Sequence, residues 1–202
     1  MTGDSRTESR LFGLEPSVLA IAVVVVVGAI MSILDTTIVN IALRTLGEDL
    51  HASLKSVQWV STGYLLSLAL VIPLTGWAAE RYGARRVWLV SVVLFVAGSA
   101  LCGAAWSLGS LIGFRVLQGF GGGMIMPAGM ILIAQAAGPQ RMGRVMSVIG
   151  VPMVLAPALG PVIGGLIVDN ASWRWIFFVN IPIGAIGLWL GLRRLPRGEG
   201  SR

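Results

Sequence analysis

The chain has 202 residues, of which 55% are hydrophobic and 12% are charged. Because soluble domains have about 25% charged residues, this composition excludes an ordinary soluble protein and favours one embedded in a membrane. A net charge of +6 is compatible with nucleic-acid binding, but the basic residues are spread among connecting segments instead of gathering on one amphipathic element, so no nucleic-acid partner is expected.

Six apolar segments, in chain order, are each long enough to cross a membrane. A hydrocarbon core of about 30 Å requires roughly 20 helical residues, and lipid permits so apolar a single crossing only as a helix. We therefore predict an all-α, polytopic bundle of six transmembrane helices over residues 16–194. The spans are predicted at 16–43, 57–79, 87–106, 109–136, 144–168 and 174–192. Residues 1–15 and 195–202 are predicted to be short polar tails.

The basic residues outside the spans are divided unequally between the two sides of this bundle. The side of the two tails has Arg6, Arg10, Arg81, Arg85, Arg86, Arg141, Arg144, Arg193, Arg194, Arg197 and Arg202. The opposite side has only Arg44, Lys55 and Arg174. Since an excess of Lys and Arg marks cytoplasmic segments, we predict a multi-pass protein of the cell membrane with both termini in the cytoplasm.

Two charged side chains, Asp35 and Arg115, lie within predicted spans. A charge at the bilayer centre costs about 2.5–3.5 kcal/mol on insertion scales, so both are expected to face the bundle interior, water or each other. With a helical rise of about 1.5 Å per residue, Asp35 lies about 12 Å and Arg115 about 9 Å from the outer ends of their spans. This similar depth allows an ion pair or a shared water network.

Ionisable residues inside membranes are functional candidates, so Asp35 and Arg115 are candidates for coupling proton movement to a substrate. Gln118, one turn from Arg115, is expected to steady the guanidinium by hydrogen bonding. Thr36 and Asn40, four residues apart on one helical face, are candidates for lining the same cavity. A static salt bridge is the alternative for the charged pair, and ordinary packing is the alternative for Thr36 and Asn40.

The segment between the second and third spans, residues 76–86, is predicted to be a short basic loop. Its length of about ten residues would hold it against the bilayer surface. Its glycines allow a sharp turn, its arginines favour the cytoplasmic face, and its one carboxylate, Glu80, lies among them. This combination indicates a transporter rather than a membrane anchor.

Small residues and prolines mark the fourth and fifth spans. Gly119 and Gly123 form a small-xxx-small pair that allows another helix to approach closely. The fifth span contains Pro152, Pro157 and Pro161, and an interior proline promotes a kink. Ala156, Gly160 and Gly164 recur every four residues and so form a smooth stripe for a helix crossing. A bent, tightly packed helix suits a moving interface, with static packing as the alternative.

Together these segments resemble the N-terminal half of a major facilitator superfamily transporter, and more narrowly its fourteen-helix drug:proton antiporter branch. The resemblance rests on five motifs, at residues 34–43, 76–86, 111–123, 150–165 and 173–184. The chain departs from the usual pattern at Glu80, where the family has Asp, and at Arg44, where the branch has proline.

The resemblance implies alternating access between two six-helix bundles, with proton entry exchanged for export of hydrophobic or cationic small molecules. It implies that Asp35 and Arg115 are the pair linked to proton and substrate. It implies a cytoplasmic gating latch at Gly76, Glu80, Arg81, Gly83, Arg85 and Arg86. It implies an antiporter-type fifth helix marked by Gly150, Pro157, Gly160, Pro161, Gly164 and Gly165. The partner would be a C-terminal helical half or a second chain.

Other functions are less well supported by the residues. One cysteine, Cys102, and one histidine, His51, argue against a metal site. No nucleophile elbow, zinc-binding histidine pair or phosphate loop indicates an enzyme, and no cofactor beyond the coupling proton is expected. A metabolite facilitator without proton coupling and a non-transporting half-bundle that acts as a membrane partner remain as alternatives. Met124, Met126, Met130 and Met153 suit varied apolar substrates or simple core packing.

Overall fold

The structure, a computed structural model, describes residues 14–196. The predictions for Arg6, Arg10, Arg197 and Arg202 lie outside the described residues. The helices are α1 (Pro16–Asp49), α2 (Leu54–Tyr82), α3 (Ala84–Gly103), α4 (Leu108–Ala137), α5 (Met142–Asn170), α6 (Trp175–Phe178) and α7 (Asn180–Arg194), with a 3-10 turn at Pro139–Arg141 before α5. Six helical segments are long and apolar enough to cross a membrane, with α6 and α7 forming the sixth. The predicted all-α bundle of six spans is confirmed.

Four helices, α1, α2, α4 and α5, continue beyond their predicted spans because a helix does not have to end where the hydrocarbon ends, whereas α3 begins and ends three residues earlier than predicted. The longest, α1, has 34 residues and is about 51 Å long at 1.5 Å per residue. Its last turns therefore extend past a hydrocarbon core of about 30 Å. There Arg44 Nε donates to Glu48 Oε1 at 3.1 Å, a pair with the spacing that supports an exposed helix.

The loop predicted at residues 76–86 is wrong, since this segment is almost entirely helical. α2 ends at Tyr82, α3 begins at Ala84, and Gly83 alone separates them. Gly83 has φ 85° and ψ 135°, a conformation open to glycine and strained for residues with a Cβ. One glycine thus reverses the chain direction, and the charged residues around it lie on two helix ends.

The sixth span is interrupted at Val179, although a single helix is predicted over 174–192. Val179 keeps helical backbone angles, with φ −61° and ψ −25°. Three residues later, Pro182 has no N–H to donate to the Phe178 carbonyl, and its ring crowds that turn. The interruption places Asn180 at the beginning of α7.

Glycines bring α4 into backbone contact with both α2 and α3. A Cβ on Gly119 would lie 2.6 Å from the Tyr64 carbonyl oxygen of α2, and one on Gly123 would lie 2.6 Å from the Leu68 carbonyl oxygen. On the other side, a Cβ on Gly121 would lie 2.5 Å from the Phe95 nitrogen of α3. The close approach predicted from Gly119 and Gly123 is confirmed.

The α5 helix packs mainly against α1. The predicted stripe of Ala156, Gly160 and Gly164 is its buried face, confirming the tight crossing. A Cβ on Gly160 would meet the Thr37 side chain, and one on Gly164 would lie 3.3 Å from Ile38 Cα.

Large apolar side chains on the outer faces of α2 and α5 are exposed. They are Leu65, Leu66, Leu70, Leu74, Trp77, Val151, Val154, Leu155, Leu159, Val162 and Leu166. In a membrane, such faces meet lipid or other helices.

Candidate functional site

A buried ion pair joins α1 to α4 in the interior of the bundle. Arg115 Nη1 lies 2.5 Å from Asp35 Oδ2, and the side chains are 1% and 0% exposed. The expectation that both charges face inward and meet is confirmed. Pairing with hydrogen bonds is the arrangement that makes two buried charges tolerable.

Three side chains donate hydrogen bonds to the Asp35 carboxylate. Arg115 donates to Oδ2, while Gln118 Nε2 and Asn180 Nδ2 each donate to Oδ1 at 2.9 Å. Asn180 Nδ2 also donates to Ser99 Oγ at 3.0 Å. We call Asp35, Arg115, Gln118, Asn180 and Ser99 the carboxylate cluster. Its donors come from α4 and α7, so the ionised form of Asp35 is well satisfied.

Gln118 and the surrounding backbone hold the guanidinium in place. Arg115 Nη1 donates to Gln118 Oε1 at 2.8 Å, which confirms the predicted hydrogen bond between them. Arg115 Nε donates to the Val60 carbonyl of α2 at 3.2 Å. The guanidinium carbon also lies 4.0 Å from the Tyr64 ring centroid, a cation–π contact whose strength increases away from water. Besides Asp35, Arg115 is therefore fixed by Gln118 of its own helix and by Val60 and Tyr64 of α2.

Asn180, Ser99 and Tyr64 are site residues that the sequence analysis missed. Asn180 is fully buried, and Ser99 Oγ donates to the Phe177 carbonyl at 2.8 Å. The available signal was a single amide within the apolar run of the sixth span, because polar residues inside membranes are often functional. Ser99 and Tyr64 carried no comparable signal, since small hydroxyls and tyrosines are common in membrane helices.

Thr36 and Asn40 make their hydrogen bonds to groups other than Asp35, and the Thr36 side chain also hydrogen-bonds to the Tyr64 hydroxyl. Thr36 Oγ1 donates to the Ser32 carbonyl of its own helix at 3.0 Å. Asn40 is exposed, and its Oδ1 accepts from Ser61 Oγ at 2.9 Å. The structure therefore brings Asp35, Arg115 and Gln118 together but places these two residues beside them on α1.

An apolar cavity of about 330 Å³ lies between α1, α2, α4 and α5, with Ser32, Ile72, Gly122, Met126 and Met153 in its wall. Met124, Met130 and also Met153 pack against the hydrophobic core. Ser32 contributes a hydroxyl to the cavity wall and lies 3.0 Å from Tyr64 OH. Because the Tyr64 ring covers Arg115, one tyrosine connects the cavity to the ion pair.

The residues predicted to form a gating latch lie at the ends of α2 and α3. Gly76, Glu80, Arg81 and Arg86 are exposed. Arg85 Nη2 donates to the Leu192 carbonyl near the end of α7 at 2.9 Å. A cation at a helix C-terminus is electrostatically favourable, so Arg85 ties the α2–α3 connection to the sixth span.

The marked residues of α5 divide into two groups. Gly160 and Gly164 contact α1, as described above, whereas Pro157 and Pro161 are exposed. A Cβ on Gly150 or Gly165 would meet no atom within 4 Å. Packing within the described residues therefore requires glycine at 160 and 164 but does not explain the glycines at 150 and 165.

Six long apolar helices, a buried ion pair and an apolar cavity between four of the helices define a polytopic membrane protein built like a transporter bundle. Residues 25–202 match the sequence profile of the Major Facilitator Superfamily. The chain belongs to this superfamily, whose members are transporters and not enzymes.

Similar proteins include several named for drug resistance. The chain is 46% identical over 184 residues to the multidrug resistance protein B homolog of Mycobacterium tuberculosis, covering 91% of this chain and 34% of that protein. It is 45% identical over 154 residues to the multidrug export protein EmrB of Haemophilus influenzae, covering 76% of this chain and 30% of that protein. The chain thus spans about a third of the length of these curated relatives, and its relation to multidrug efflux proteins is clear.

Solved structures confirm the fold. The proton:xylose symporter XylE, bound to 6-bromo-6-deoxy-D-glucose, superposes with a TM-score of 0.78 at 16% identity, covering 91% of this chain and 45% of that chain. A bacterial homolog of the human lysosomal transporter Spinster superposes with a TM-score of 0.71 at 18% identity, covering 94% of this chain and 46% of that chain. The described helices therefore match one half of a transporter fold.

Proposed function

We propose that this chain forms the N-terminal bundle of a proton-coupled antiporter that exports hydrophobic or cationic small molecules by alternating access. The observation that carries the proposal is the fully buried Asp35–Arg115 pair, linked through Tyr64 to an apolar cavity. The names of the relatives, which refer to multidrug resistance and export, support this class of substrate.

Asp35 is the proton-carrying group in this mechanism. In its ionised form the carboxylate accepts a charge-assisted hydrogen bond from Arg115, which is about twice as strong as a neutral one. Protonation of Asp35 removes the negative charge and weakens its hold on Arg115. A cation in the cavity favours the ionised carboxylate by Coulomb attraction, so substrate binding promotes proton release.

The proton gradient supplies enough free energy for export. One proton moving inward contributes about 2.3 kcal/mol per 100 mV and about 1.4 kcal/mol per tenfold concentration ratio. The sum, about 3.7 kcal/mol, would sustain a gradient of a neutral substrate of several hundredfold. A monovalent cation exchanged one for one would be driven by the pH difference alone.

Alternating access requires a second helical bundle. The exposed apolar faces of α2 and α5 suit packing against such a bundle, supplied by a C-terminal half or by a second chain. In the proposed orientation both termini and the residues around Gly83 face the cytoplasm. Glu80, Arg81 and Arg86, on exposed helix ends, would there contact the second bundle when the cytoplasmic side closes.

Proton release upon substrate binding tests the proposal. The purified chain in detergent is mixed with tetraphenylphosphonium, a lipophilic cation, in weak buffer that contains a pH indicator. We expect proton release from the unaltered chain and its loss in Asp35→Asn and Arg115→Ala. Glu48→Gln is the matched control, because Glu48 is a carboxylate of the same helix with a 67% exposed side chain. It should release protons normally.

The outcomes separate the alternatives. Undiminished release in both Asp35→Asn and Arg115→Ala would remove the site assignment. Binding of the cation without any proton release by the unaltered chain would favour a facilitator without proton coupling. Failure to bind the cation, together with binding of a second membrane protein, would favour a half-bundle that acts as a partner.

A further inference from the structure

Asn180 has a buried oxygen atom that lacks a hydrogen-bond partner. Its side chain is fully buried, and its Nδ2 donates to both Asp35 Oδ1 and Ser99 Oγ. Its Oδ1, in contrast, has no hydrogen-bond partner among residues 14–196. A buried polar atom without a partner destabilises the folded protein, so its position next to the proposed proton carrier calls for a physical reason.

A protonated Asp35 would require an acceptor for its O–H group. Among the described side chains that hydrogen-bond to Asp35, Arg115 has no acceptor atom. Gln118 Oε1 already accepts from Arg115 Nη1 at 2.8 Å and from Cys102 Sγ at 3.6 Å. The unpartnered Oδ1 of Asn180 is therefore the acceptor that remains within this set.

We propose that Asn180 is a positioning residue that accepts the hydrogen bond of protonated Asp35 after its side-chain amide rotates by half a turn. The inference rests on the proposed function, because it assumes that Asp35 carries the proton. Rotation exchanges Oδ1 and Nδ2, so Oδ1 comes to face Asp35 Oδ1 and Ser99 Oγ. The proton comes from hydronium: one O–H bond of hydronium breaks, one O–H bond forms at Asp35 Oδ1, and a water molecule leaves.

Among the residues that the structure describes, few titratable groups near Asp35 compete with it for this proton. Those that face Asp35 are Arg115 of α4, Tyr64 of α2 and Cys102 of α3. The charged residues of α1, α3, α5 and α7 lie near the helix ends, at Arg44, Glu48, Asp49, Arg85, Arg86, Arg144, Asp169, Arg193 and Arg194, and α6 has none. The group that responds to protonation of Asp35 is thus the neutral side-chain amide of Asn180, which hydrogen-bonds to it directly.

The position of Asn180 carries this change to other helices. Asn180 is the first residue of α7, Ser99 belongs to α3, and Ser99 Oγ donates to the Phe177 carbonyl of α6. When the amide rotates, the Ser99 hydroxyl becomes a possible donor to Asn180 Oδ1. One proton on α1 therefore rearranges the hydrogen bonds that hold the interruption of the sixth span against α3.

Infrared difference spectroscopy of the purified full chain across pH tests this role. The carboxylic C=O band that disappears in Asp35→Asn reports protonated Asp35, and its frequency rises when the O–H group loses an acceptor. We expect a higher frequency in Asn180→Leu. Gln118→Leu is the matched control, because Gln118 also donates to Asp35 Oδ1 at 2.9 Å but has no spare acceptor. It should leave the frequency unchanged.

The two variants should also differ in proton affinity. Each loses one donor to the carboxylate, but only Asn180→Leu loses the acceptor. If the lost hydrogen bond has ordinary strength, the proton affinity of Asp35 should be about 2- to 12-fold lower in Asn180→Leu than in Gln118→Leu.

A second measurement leaves Asn180, Asp35 and their hydrogen-bond partners unaltered. In a chain with isotope-labelled asparagine, the amide C=O band of Asn180 should move to lower frequency as Asp35 gains its proton. The other two asparagines, Asn40 and Asn170, are removed from the spectrum by substitution with Gln. An unmoved Asn180 band, or equal carboxylic frequencies in the two Leu variants, overturns the role of Asn180 and leaves the proposed function standing. Absence of a protonated Asp35 band at every pH overturns both.

Discussion

Tyr64 shows how a single residue connects the cavity to the charged pair. It is fully buried, its ring lies against the Arg115 guanidinium at 4.0 Å, and its OH lies 3.0 Å from Ser32 Oγ. Stacking of this kind contributes about 2 kcal/mol when water is excluded. A molecule that displaces the Ser32 side chain in the cavity would therefore alter the contact between Tyr64 and Arg115 without touching Arg115.

Substitution of Tyr64 should separate its two contacts. Tyr64→Phe loses only the hydroxyl, and hydrogen bonds between membrane helices average about 0.6 kcal/mol. Tyr64→Leu also loses the ring over Arg115 and should cost about 2 kcal/mol more. The free energy of unfolding in mixed micelles measures both. Tyr82→Phe, at an exposed tyrosine on the same helix, should have no effect. Equal losses in Tyr64→Phe and Tyr64→Leu would contradict a stacking contribution.

At this scale the sequence was informative wherever charge was involved. Asp35 and Arg115 could be paired from the sequence alone because a membrane penalises each charge strongly and their depths agree. Asn180 and Ser99 could not be placed, since neutral polar residues carry a smaller penalty and find partners in many arrangements. Their contact with Asp35 depends on how α3 and α7 approach α1, which periodicity does not determine.

Among the helices, α4 is the most tightly held element of the bundle. Its glycines face α2 and α3 in alternation, at Gly119, Gly121 and Gly123. Close backbone approach allows dispersion contacts along the whole crossing, which is a main source of helix association in lipid. The result is a compact group of α2, α3 and α4 that positions Arg115 and Gln118.

An alanine at Gly121 should destabilise this group. The new Cβ would lie 2.5 Å from the Phe95 nitrogen and 2.7 Å from the Ser91 carbonyl oxygen, and backbone atoms cannot rotate away. We expect a loss of about 1–3 kcal/mol, measured as a lower thermal unfolding midpoint in detergent. Gly113→Ala is the control on the same helix, because its Cβ would meet no atom within 4 Å. A similar loss at both positions would show that the effect is not one of helix contact.

Helix ends were harder to predict than helix cores. Hydrophobicity identified the six crossings, but it gave no information on how far each helix continues into water. The run of residues 76–82 contains Gly76, Glu80 and Arg81, yet it completes α2, and the turn requires only Gly83. The interruption at Val179 was signalled by Pro182, whose effect on the preceding turn is local and physical.

On the scale of the whole molecule, the distribution of basic residues predicts the orientation. Cysteine labelling can test it, because the native Cys102 is buried and contributes little background. A membrane-impermeant maleimide should label Lys55→Cys in intact cells and Arg86→Cys only in inside-out vesicles. Both native side chains are exposed. The opposite pattern would place both termini outside and overturn the proposed direction of transport.

The surface of α1 that contacts α5 lies within one helical turn of Asp35, the proposed proton carrier. Asp35 faces α4 and α7, while Thr37 and Ile38, two and three residues further along α1, receive Gly160 and Gly164 of α5. Any rotation of this turn must therefore act on both faces at once. A small apolar compound bound where Gly160 of α5 meets Thr37 of α1 would therefore inhibit transport from a distance. It would disturb the hydrogen bonds of Asp35 without occupying the cavity proposed for the substrate.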